Sequence, residues 1–563
     1  MLSVAAETPE ILATVVIGLV LARSLGDYLA RVFLSRPTLL DSVMTPVERW
    51  IFGILGVNQY HDMRWREYAA ALLLLNGAAI AFVFFLLMDQ GSLPWNALRA
   101  PGMSWDLALH TATSFATNTD FQHYTPETQV SLFAALLGLQ MLMFLSASIG
   151  LVVVVAFTRG FIRRNGRIGN FWADVVKAIT RVFLPLAFLA ALIFVFLGVP
   201  QTLAQSAVIT PLTGGAPQIV PLGPVASWNG IELLGTNGGG YFSANMAHPF
   251  QNPSAVTNFL AILLMMAIPF GAPFMFAQMV RRKEEARPLF ATVLVLFLVA
   301  LLLFLYFESS NPFLAGTGVG QGGGYLNGVE DRFTLPESAL FQVASVYGNV
   351  GATSMSIGAL TPGAQIVLFW GMFLQDAPGG VGTGFGVLLI NVILAIFVGG
   401  LMVGRTPEYL GKKIGRDQMR WAAVTILSHP FMVLIPLAVA YVFGFATLSA
   451  GTGPHSFTVV LYEFTSESAN NGSAMGPIAD NTLFFNLTGT IIMLVGRFLP
   501  ILAMLGIGGS LAGEDQLPPG PGTLKTDSAT FTIYLILFMT VVTGLLFLPV
   551  LVMGPFSQGA MGG

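Results

Sequence analysis

Long apolar runs alternate with polar connections along the chain, and ten of the runs are long enough to cross a membrane as a helix. A bilayer core of about 30 Å requires about 20 apolar residues in a helix. The pattern predicts ten membrane helices, over residues 9–24, 68–88, 130–157, 173–198, 257–279, 288–307, 385–403, 421–446, 483–506 and 529–553. Residues 1–10 contain no lysine or arginine, which favours a retained first helix over a cleaved signal peptide.

Four of the connections contain an apolar stretch that is too short to cross the membrane. These stretches cover residues 104–116, 226–235, 335–347 and 456–468. Their length is typical of re-entrant helices, which enter the membrane and return on the same side. Ser104, Ser227 and Ser456 are candidate N-caps, and Thr334 with Glu337 fits a Thr-x-x-Glu capping box.

A short polar triplet follows each of these stretches, and a long apolar run follows the triplet. The last residues of successive triplets lie 119, 113 and 121 positions apart. One such triplet alone would be an ordinary Gly/Asn turn, but four at matched positions predict a pore loop used four times. The triplets are Thr117-Asn118-Thr119, Thr236-Asn237-Gly238, Asn349-Val350-Gly351 and Asn470-Asn471-Gly472.

The predicted fold is an all-α polytopic membrane protein with ten transmembrane helices and four pseudo-symmetric helix–pore loop–helix units around one central pore. A first helix with its connection and a last helix flank the four units. The predicted boundaries are 1–66 for the first helix, 67–160, 161–284, 285–415 and 416–527 for units 1 to 4, and 528–563 for the last helix.

Connections that are rich in lysine and arginine alternate along the chain with connections that contain almost none. Lysine and arginine are concentrated in residues 23–66, 159–181, 281–287, 405–420 and 497–525, whereas residues 199–256 and 447–482 contain none. Because basic connections stay in the cytoplasm, the four triplets are expected to face outward. Each re-entrant helix would then direct the negative end of its dipole toward the pore centre, which favours a cation there.

Composition agrees with a membrane protein and excludes several kinds of site. Of the 563 residues, 55% are hydrophobic and only 9% are charged, and no cysteine is present. Disulfides, iron–sulfur clusters and thiolate metal sites are therefore excluded.

The triplets have the chemistry of a potassium filter. Backbone carbonyls can replace the water shell of an ion, and small residues let the backbone approach the ion closely. No ring of acidic residues accompanies the triplets, which disfavours a divalent ion. The amides of Asn118, Asn237, Asn349 and Asn470 are expected to brace the filter, and Gln122 and Gly239 lie next to it.

Unit 3 is longer than units 1 and 2 in the interval between its triplet and the arginine that follows the next membrane helix. Gly351 and Arg405 are 54 positions apart, against 40 and 43 for the corresponding intervals in units 1 and 2. The extra length contains an apolar run at 365–374 and then Asp376, Gly379, Gly380, Gly382 and Gly384. From the residues alone, this segment is equally well a transmembrane helix broken at mid-membrane, as in ion sites and gates, or an external glycine-rich loop.

Several motifs resemble one family, namely the potassium-binding A subunits of the bacterial Kdp potassium-transporting ATPase. The matching segments extend over the whole chain, and they are Thr117–Thr119 with Gln122, Gly235–Gly240, Ala247–Phe250, Gly379–Gly382, Gly404–Ile414 and Glu463–Gly472. The four-unit plan alone is shared with a wider superfamily of potassium transporters. The third triplet departs from the family, since related chains tend to have Ser-Cys-Gly in place of Asn349-Val350-Gly351.

The resemblance implies a potassium-selective subunit of an ATP-driven uptake complex in the bacterial plasma (inner) membrane, with potassium as the only metal ion, bound at the filter. Its implied partners are a P-type ATPase catalytic subunit that uses the ATP, a single-span accessory subunit and a small stabilising membrane peptide. The resemblance also favours a gate at 376–384. It places Arg405 and Arg497 in the cavity beneath the filter; from the residues alone, either arginine is equally well a cap of its helix C-terminus.

Catalytic motifs are absent from the sequence. It has no Gly-x4-Gly-Lys-Ser/Thr phosphate loop and no Asp-Lys-Thr-Gly phosphorylation motif, and its six histidines show no metal-ligand spacing. We therefore expect a non-catalytic subunit with no organic cofactor and no nucleic-acid partner. The alternatives are an autonomous potassium channel or ion-coupled transporter of the same superfamily and, from another class, a membrane-embedded enzyme, for which no convergent set of catalytic residues is present.

Overall fold

The ten predicted membrane helices are confirmed. The computed structural model describes residues 2–212, 214–309, 328–375, 378–517 and 524–560. Within these ranges, ten helices are long and apolar enough to cross a membrane. They are Pro9–Phe33, Trp65–Asp89, Leu132–Ile162, Phe171–Phe196, Ala255–Met279, Lys283–Ser309, Thr383–Met402, Arg416–Val442, Leu483–Leu511 and Ala529–Ala560.

The spanning helices form an inner and an outer set, and burial separates the two. Four helices have 61–83% of their most apolar window buried inside the protein: Leu132–Ile162, Ala255–Met279, Thr383–Met402 and Leu483–Leu511. The other six have only 28–39% buried. Each inner helix follows one of the four triplets, so the four units place their second helices at the centre and leave mainly apolar outer helices for the lipid.

Four short helices precede the triplets, as the pattern predicts. Pore helices 1 to 4 are Trp105–Ala116, Val225–Leu234, Leu335–Tyr347 and Pro454–Ala469. With 10 to 16 residues each, they are too short to cross the membrane at 1.5 Å per residue. Each pore helix ends immediately before its triplet or is separated from it by one residue. The C-termini of the pore helices therefore point toward the loops.

The predicted helix starts are right in two cases and wrong in two. Thr334 and Glu337 form the predicted capping box, with the Thr334 N–H donating to the Glu337 carboxylate at 2.8 Å. Ser104 occupies the N-cap position without a side-chain bond. Ser227 and Ser456 are not N-caps, because their helices begin earlier and both hydroxyls donate to a preceding carbonyl within the first turn.

The extra length of unit 3 forms a short helix and a non-helical connection before the spanning helix, and the burial of that connection favours a broken helix over an external loop. A helix at Pro362–Leu374 ends at Gln375, whose φ of 54° is left-handed, and the next helix begins at Thr383. Of the described residues between them, Gly379 and Gly380 are buried inside the protein, which is not typical of an external loop. Asp376 lies outside the described residues.

The remaining elements lie at the ends of the spanning helices. A 15-residue helix, Asp41–Leu55, packs beside the basic end of the Phe171–Phe196 helix, where Arg181 donates to Glu48 at 2.7 Å. Shorter helical segments are Gln90–Ser92, Pro126–Gln129, Asn245–Ala247, Ile357–Ala359 and Phe445–Ala450. Two antiparallel hairpins pair Ser206–Ile209 with Gln218–Pro221 and Glu408–Tyr409 with Lys412–Lys413.

Candidate ion-selectivity site

The four loops that follow the pore helices have the same backbone conformation. In each loop, one N–H donates to the carbonyl five residues earlier, at the last turn of its pore helix. These bonds are Thr119 to Ser114 (3.0 Å), Asn237 to Glu232 (2.8 Å), Val350 to Ser345 (2.7 Å) and Asn471 to Ser466 (2.8 Å). The residues on either side of these four donors all have positive φ: 118 and 120, 236 and 238, 349 and 351, and 470 and 472.

This shared geometry corrects the register of the first loop by one residue. The triplet equivalent to Thr236–Gly238 is Asn118–Asp120 rather than Thr117–Thr119, because Thr119 makes the bond that Asn237 makes in loop 2. Asp120, with φ of 53°, therefore stands where the other loops have glycine. We call the four segments Asn118–Asp120, Thr236–Gly238, Asn349–Gly351 and Asn470–Gly472 the filter ring.

The filter ring is closed by backbone contacts between neighbouring loops. A Cβ atom added to Gly238 would overlap the carbonyl oxygen of Val350. The same relation joins Gly351 to Asn471 and Gly472 to Thr119. Loop 2 therefore contacts loop 3, loop 3 contacts loop 4, and loop 4 contacts loop 1. Glycine is required at these positions both for its left-handed φ and for the close approach.

Asparagine amides reinforce the contacts between loops. Asn118 Nδ2 donates to the Thr236 carbonyl at 2.6 Å, which joins loop 1 to loop 2 and completes the ring. Asn349 Nδ2 donates to the Ala469 carbonyl at 2.6 Å, and Asn470 Nδ2 donates to Thr119 Oγ1 at 2.9 Å. The amide of Asn237 instead donates within its own unit. Three of the four amides thus hold neighbouring loops together.

The ring contains buried carbonyl groups that lack hydrogen bonds. Thr119, Asn237, Val350 and Asn471 each have 0% of their surface exposed. Within the described residues, none of their backbone carbonyls accepts a hydrogen bond. A buried carbonyl without a partner costs free energy, whereas a cation among four such groups would satisfy all of them. The pore-helix dipoles add negative potential at the same place.

Asp120 brings a carboxyl group to one corner of the ring, which the sequence interpretation missed. The residue is 1% exposed, and neither carboxyl oxygen makes a hydrogen bond of normal geometry within the described residues. It interacts electrostatically with Glu232, which takes the place of Ser114, Ser345 and Ser466 in the last turn of pore helix 2. The filter therefore has no acidic ring, but it has one buried acidic corner.

Gln122 and Gly239 connect loops 1 and 2 beyond the ring. Gln122 Nε2 donates to the Gly240 carbonyl at 3.1 Å and to Tyr124 Oη at 3.2 Å. The Gly239 carbonyl accepts a bond from Trp228 Nε1 at 2.7 Å, and a Cβ atom at Gly239 would lie 2.6 Å from that of Asp120. Gln122 thus joins loop 1 to the segment after loop 2, and Gly239 leaves room for the Asp120 side chain.

The break in unit 3 lies directly against the filter ring. The Gly379 N–H donates to the Tyr347 carbonyl at 2.7 Å, and the Val381 N–H donates to Thr236 Oγ1 at 3.0 Å. Gly382 approaches the inner helix of unit 1 so closely that a Cβ atom would overlap the Gly150 carbonyl. Gly384 packs against Gly379 in the same way. Residues 378–384 therefore join loops 2 and 3 to the inner helices.

The two predicted cavity arginines have different positions. Arg497 is 5% exposed and donates to Thr383 Oγ1 at 2.8 Å and to the Ser146 carbonyl at 3.0 Å. It lines a small cavity with Asn349, Gln375, Gly384 and Asn470. Arg405 is exposed beyond the end of the Thr383–Met402 helix. Its N–H donates to the Gly400 carbonyl at 2.8 Å, so the chain turns there at the helix end and does not reach the filter.

One signal in the sequence could have given the correct register of loop 1. Three of the four loops begin with asparagine when they are aligned on Asn118, Asn349 and Asn470. Alignment on the final glycine hides this pattern, because loop 1 has no glycine. Asp120 would then have stood out as the exception.

Comparisons with known proteins extend over nearly the whole chain. Residues 12–559 match the family described as Potassium-transporting ATPase A subunit. A potassium-transporting ATPase potassium-binding subunit from Nostoc sp. is 41% identical over 539 residues, which cover 95% of each chain. Among solved structures, the potassium transporter TrkH from Vibrio parahaemolyticus has a TM-score of 0.49 at 17% identity, over 87% of this chain and 96% of that one.

Proposed function

Because this chain belongs to the Potassium-transporting ATPase A subunit family, we propose that it is the potassium-selective, ion-translocating subunit of an ATP-driven uptake complex. The chain is a multi-pass membrane protein with ten helices able to cross the bilayer. In this proposal, it takes potassium from the outer side in the filter ring and passes the ion to a P-type ATPase partner, which carries out all ATP chemistry.

The observation that carries the proposal is a set of four buried carbonyls that accept no hydrogen bond from any residue that the structure describes. They belong to four loops of equal conformation, and each loop contacts the next. Neutral carbonyls suit potassium, because its water shell is held more loosely than that of sodium and a divalent ion normally requires several carboxylates. One buried acid, Asp120, adds a carboxyl group beside these carbonyls, and a single acid does not form a divalent site.

Arg497 is proposed to act as a fixed positive charge at the inner side of the filter. It lies on the inner helix of unit 4 and is bonded to the inner helices of units 1 and 3. A positive charge at this point opposes the direct passage of potassium to the cytoplasm. Residues 378–384 are proposed to form the gate, since they contact both the ring and the inner helices. Asp376, which completes the predicted gate, lies outside the described residues.

The remaining parts of the proposal concern the assembly and its location. The partners would be a P-type ATPase catalytic chain, a single-span accessory subunit and a small stabilising membrane peptide, in a bacterial plasma membrane. The functional units would follow the boundaries 67–160, 161–284, 285–415 and 416–527. Support comes from the family membership and from the absence of phosphate-loop and phosphorylation motifs in the sequence.

Potassium uptake with and without the partner ATPase tests the proposal. The two chains are reconstituted together in vesicles, and uptake of a potassium isotope is measured with ATP, without ATP and with this chain alone. We expect uptake that requires both the ATPase and ATP. Full-rate uptake by this chain alone would instead identify an autonomous channel or transporter, and it would contradict the proposed coupling.

A further inference from the structure

His123 joins the segment that leaves loop 1 to unit 4, outside the filter ring. It lies three residues after Asp120, and its side chain is fully buried. Its two ring nitrogens face two residues of unit 4, namely Glu463 on pore helix 4 and Asn486 near the start of the inner helix. These partners are 340 and 363 positions away along the chain, so only the fold brings them together. We call His123, Glu463 and Asn486 the clamp.

Hydrogen bonds fix the orientation of the Asn486 amide and, through it, that of the His123 ring. Asn486 Nδ2 donates to Asp106 Oδ2 at 2.9 Å and to Asn481 Oδ1 at 3.1 Å. Asn486 Oδ1 therefore accepts the proton of His123 Nδ1, at 2.7 Å. His123 Nε2 is left facing Glu463 Oε1 at 3.0 Å. One proton lies between these two atoms, either on an imidazolium beside a carboxylate or on a carboxyl beside a neutral ring, and both states form a hydrogen bond.

Aromatic contacts hold the His123 ring in the direction across its plane. The His110 ring stacks on it with centroids 3.9 Å apart and 18° between the planes, and the Phe121 ring contacts it edge-on at 5.3 Å. The two hydrogen bonds fix the ring within its plane. Because a buried polar or charged group that loses its partner is costly, the segment after loop 1 cannot shift relative to unit 4 without a large loss of free energy.

The clamp lies beside the corner of the filter ring where loop 4 contacts loop 1. On the side of unit 4, Glu463 is three residues before Ser466, whose hydroxyl accepts a bond from the Gly472 N–H at 3.0 Å. On the side of unit 1, His123 is four residues after Thr119, whose carbonyl oxygen lies against Gly472. The clamp is therefore connected through short stretches of chain to both sides of this corner.

The equivalent positions in the other three units are uncharged. When the loops are aligned on the filter ring, the residues at the position of His123 are Tyr241, Ser354 and Met475. When the pore helices are aligned on Ser466, the residues at the position of Glu463 are Thr111, Asn229 and Gln342. Loop 1 is also the loop that has Asp120 in place of a glycine. The clamp thus supports the one loop whose own packing differs from that of the others.

We propose that His123 is a positioning residue for potassium selection. Held by Glu463 and Asn486, it fixes loop 1 against loop 4 and thereby sets the place of the Thr119 carbonyl, one of the four proposed ion ligands. A binding site has to be held within about 0.5 Å of its productive geometry by the residues around it, so a loosened clamp should weaken ion binding. This inference rests on the proposed role of the filter ring.

Potassium binding to the purified chain tests the clamp without ATP or a partner. The full-length chain in detergent is equilibrated with a rubidium isotope, which potassium then displaces. His123→Asn keeps a donor toward Asn486 but loses the bond to Glu463, and Glu463→Ala removes the same bond from the other side. We expect each variant to bind potassium about tenfold more weakly. The double variant should be no weaker, because both changes remove one contact.

Ser354→Ala is the matched control, since Ser354 occupies the position of His123 in unit 3. Its hydroxyl has no hydrogen-bond partner within the described residues, so this variant should bind potassium as the wild-type chain does. Thermal unfolding of all variants separates positioning from stability alone. A pair that only stabilises the fold would lower the unfolding temperature and leave potassium affinity unchanged, and this result would overturn the proposal.

The double variant and a milder variant keep the proposal open to refutation. Independent losses that multiply to about a hundredfold in the double variant would show that His123 and Glu463 act separately, and would overturn the clamp. If His123→Asn does not fold, Glu463→Gln keeps the size of the side chain and a bond to the ring. We expect about threefold weaker binding in that variant, and unchanged binding would again overturn the proposal. A wild-type chain that binds no potassium would instead contradict the proposed filter.

Discussion

Two corners of the filter ring have the same backbone conformation but different side chains. Where loop 3 contacts loop 4, Gly351 has φ of 93° and lies against the Asn471 carbonyl. Where loop 1 contacts loop 2, Asp120 has φ of 53° and carries a buried carboxyl group. Aspartate is one of the few residues that tolerate left-handed backbone. The ring is thus nearly fourfold in its backbone but has one acidic corner.

The difference extends to the pore helices behind the two corners. Ser345 lies behind loop 3, and its hydroxyl donates to the Ala352 carbonyl at 2.5 Å. The equivalent residue behind loop 2 is Glu232, whose carboxylate accepts a bond from Gln251 at 2.7 Å. Loop 2 is therefore supported by an acidic side chain at the corner where Asp120 contributes a second one. The backbone sets the geometry of the filter, and these two acids set its asymmetry.

The largest effect on potassium dependence is expected when the corner of the filter ring at Gly351 is disrupted. In Gly351→Ala, the added methyl group would overlap the Asn471 carbonyl and displace one of the four proposed ion ligands. We expect the potassium concentration for half-maximal uptake to rise about tenfold or more, equivalent to about 1.4 kcal/mol. Gly77→Ala is the control, since no atom outside its own helix lies within 4 Å of its Cβ position. Equal potassium dependence in the two variants would exclude Gly351 from the ion site.

A change beside the ring should separate transport rate from selection. In Gly382→Ala, the new methyl group would overlap the Gly150 carbonyl, and the left-handed φ of 73° would be strained. We expect the maximal uptake rate to fall about fivefold, a cost of about 1 kcal/mol. Discrimination between potassium and rubidium should stay unchanged, because all four corners remain intact. A loss of discrimination without a change in rate would assign this segment to the filter instead of the gate.

A smaller effect is expected at the acidic corner. Asp120→Asn keeps the size of the side chain and its tolerance of left-handed backbone but removes the carboxyl group, whose ionised form a neighbouring cation would favour. We expect the potassium concentration for half-maximal uptake to rise about threefold, a loss of about 0.7 kcal/mol of cation attraction. Asp89→Asn, at an exposed position near the outer connection, controls for net charge. If both variants behave alike, the carboxyl group of Asp120 has no part in ion selection.

The smallest effect concerns the stability of the pore helix behind the glycine corner. Pore helix 3 is the only one of the four described pore helices whose N-cap side chain bonds its first turn. Thr334→Ala should lower the free energy of unfolding by about 1 kcal/mol and leave the potassium dependence unchanged. Thermal unfolding in detergent measures the first quantity, and isotope uptake measures the second. An altered potassium dependence would show that the corner depends on this cap.

Local patterns predicted most of the fold. Ten apolar runs gave the ten spanning helices, and the Thr334–Glu337 pair gave a helix start, because these features depend on short stretches of sequence. The starts at Ser227 and Ser456 were wrong, since Pro224 and Gly453 begin those helices earlier and leave the serines within the first turn. A serine can serve either as a cap or inside a first turn, and its neighbours decide between the two.

The arrangement of the site could be predicted only in part. The sequence pattern makes Thr119 the last residue of loop 1, because Asp120 does not resemble the glycines at the equivalent positions. Arg405 was expected in the cavity, but the helix before it ends at Met402 and leaves it exposed. The histidines showed no metal-ligand spacing along the chain, although His110 and His123 stack at 3.9 Å in space. Of these features, only the register of loop 1 can be found in the sequence, from the asparagines at 118, 349 and 470. The end of the helix before Arg405 and the stacking of two histidines within unit 1 depend on the folded backbone.

The position of a bound ion in the filter ring tests the central claim most directly. The full-length chain would be crystallised or imaged in rubidium, and the ion located by anomalous scattering or by difference density against a sodium sample. The account predicts an ion between the carbonyls of Thr119, Asn237, Val350 and Asn471, with the Asp120 corner beside it. An ion bound instead at the level of Thr117, or a ring without any ion at saturating rubidium, would contradict it.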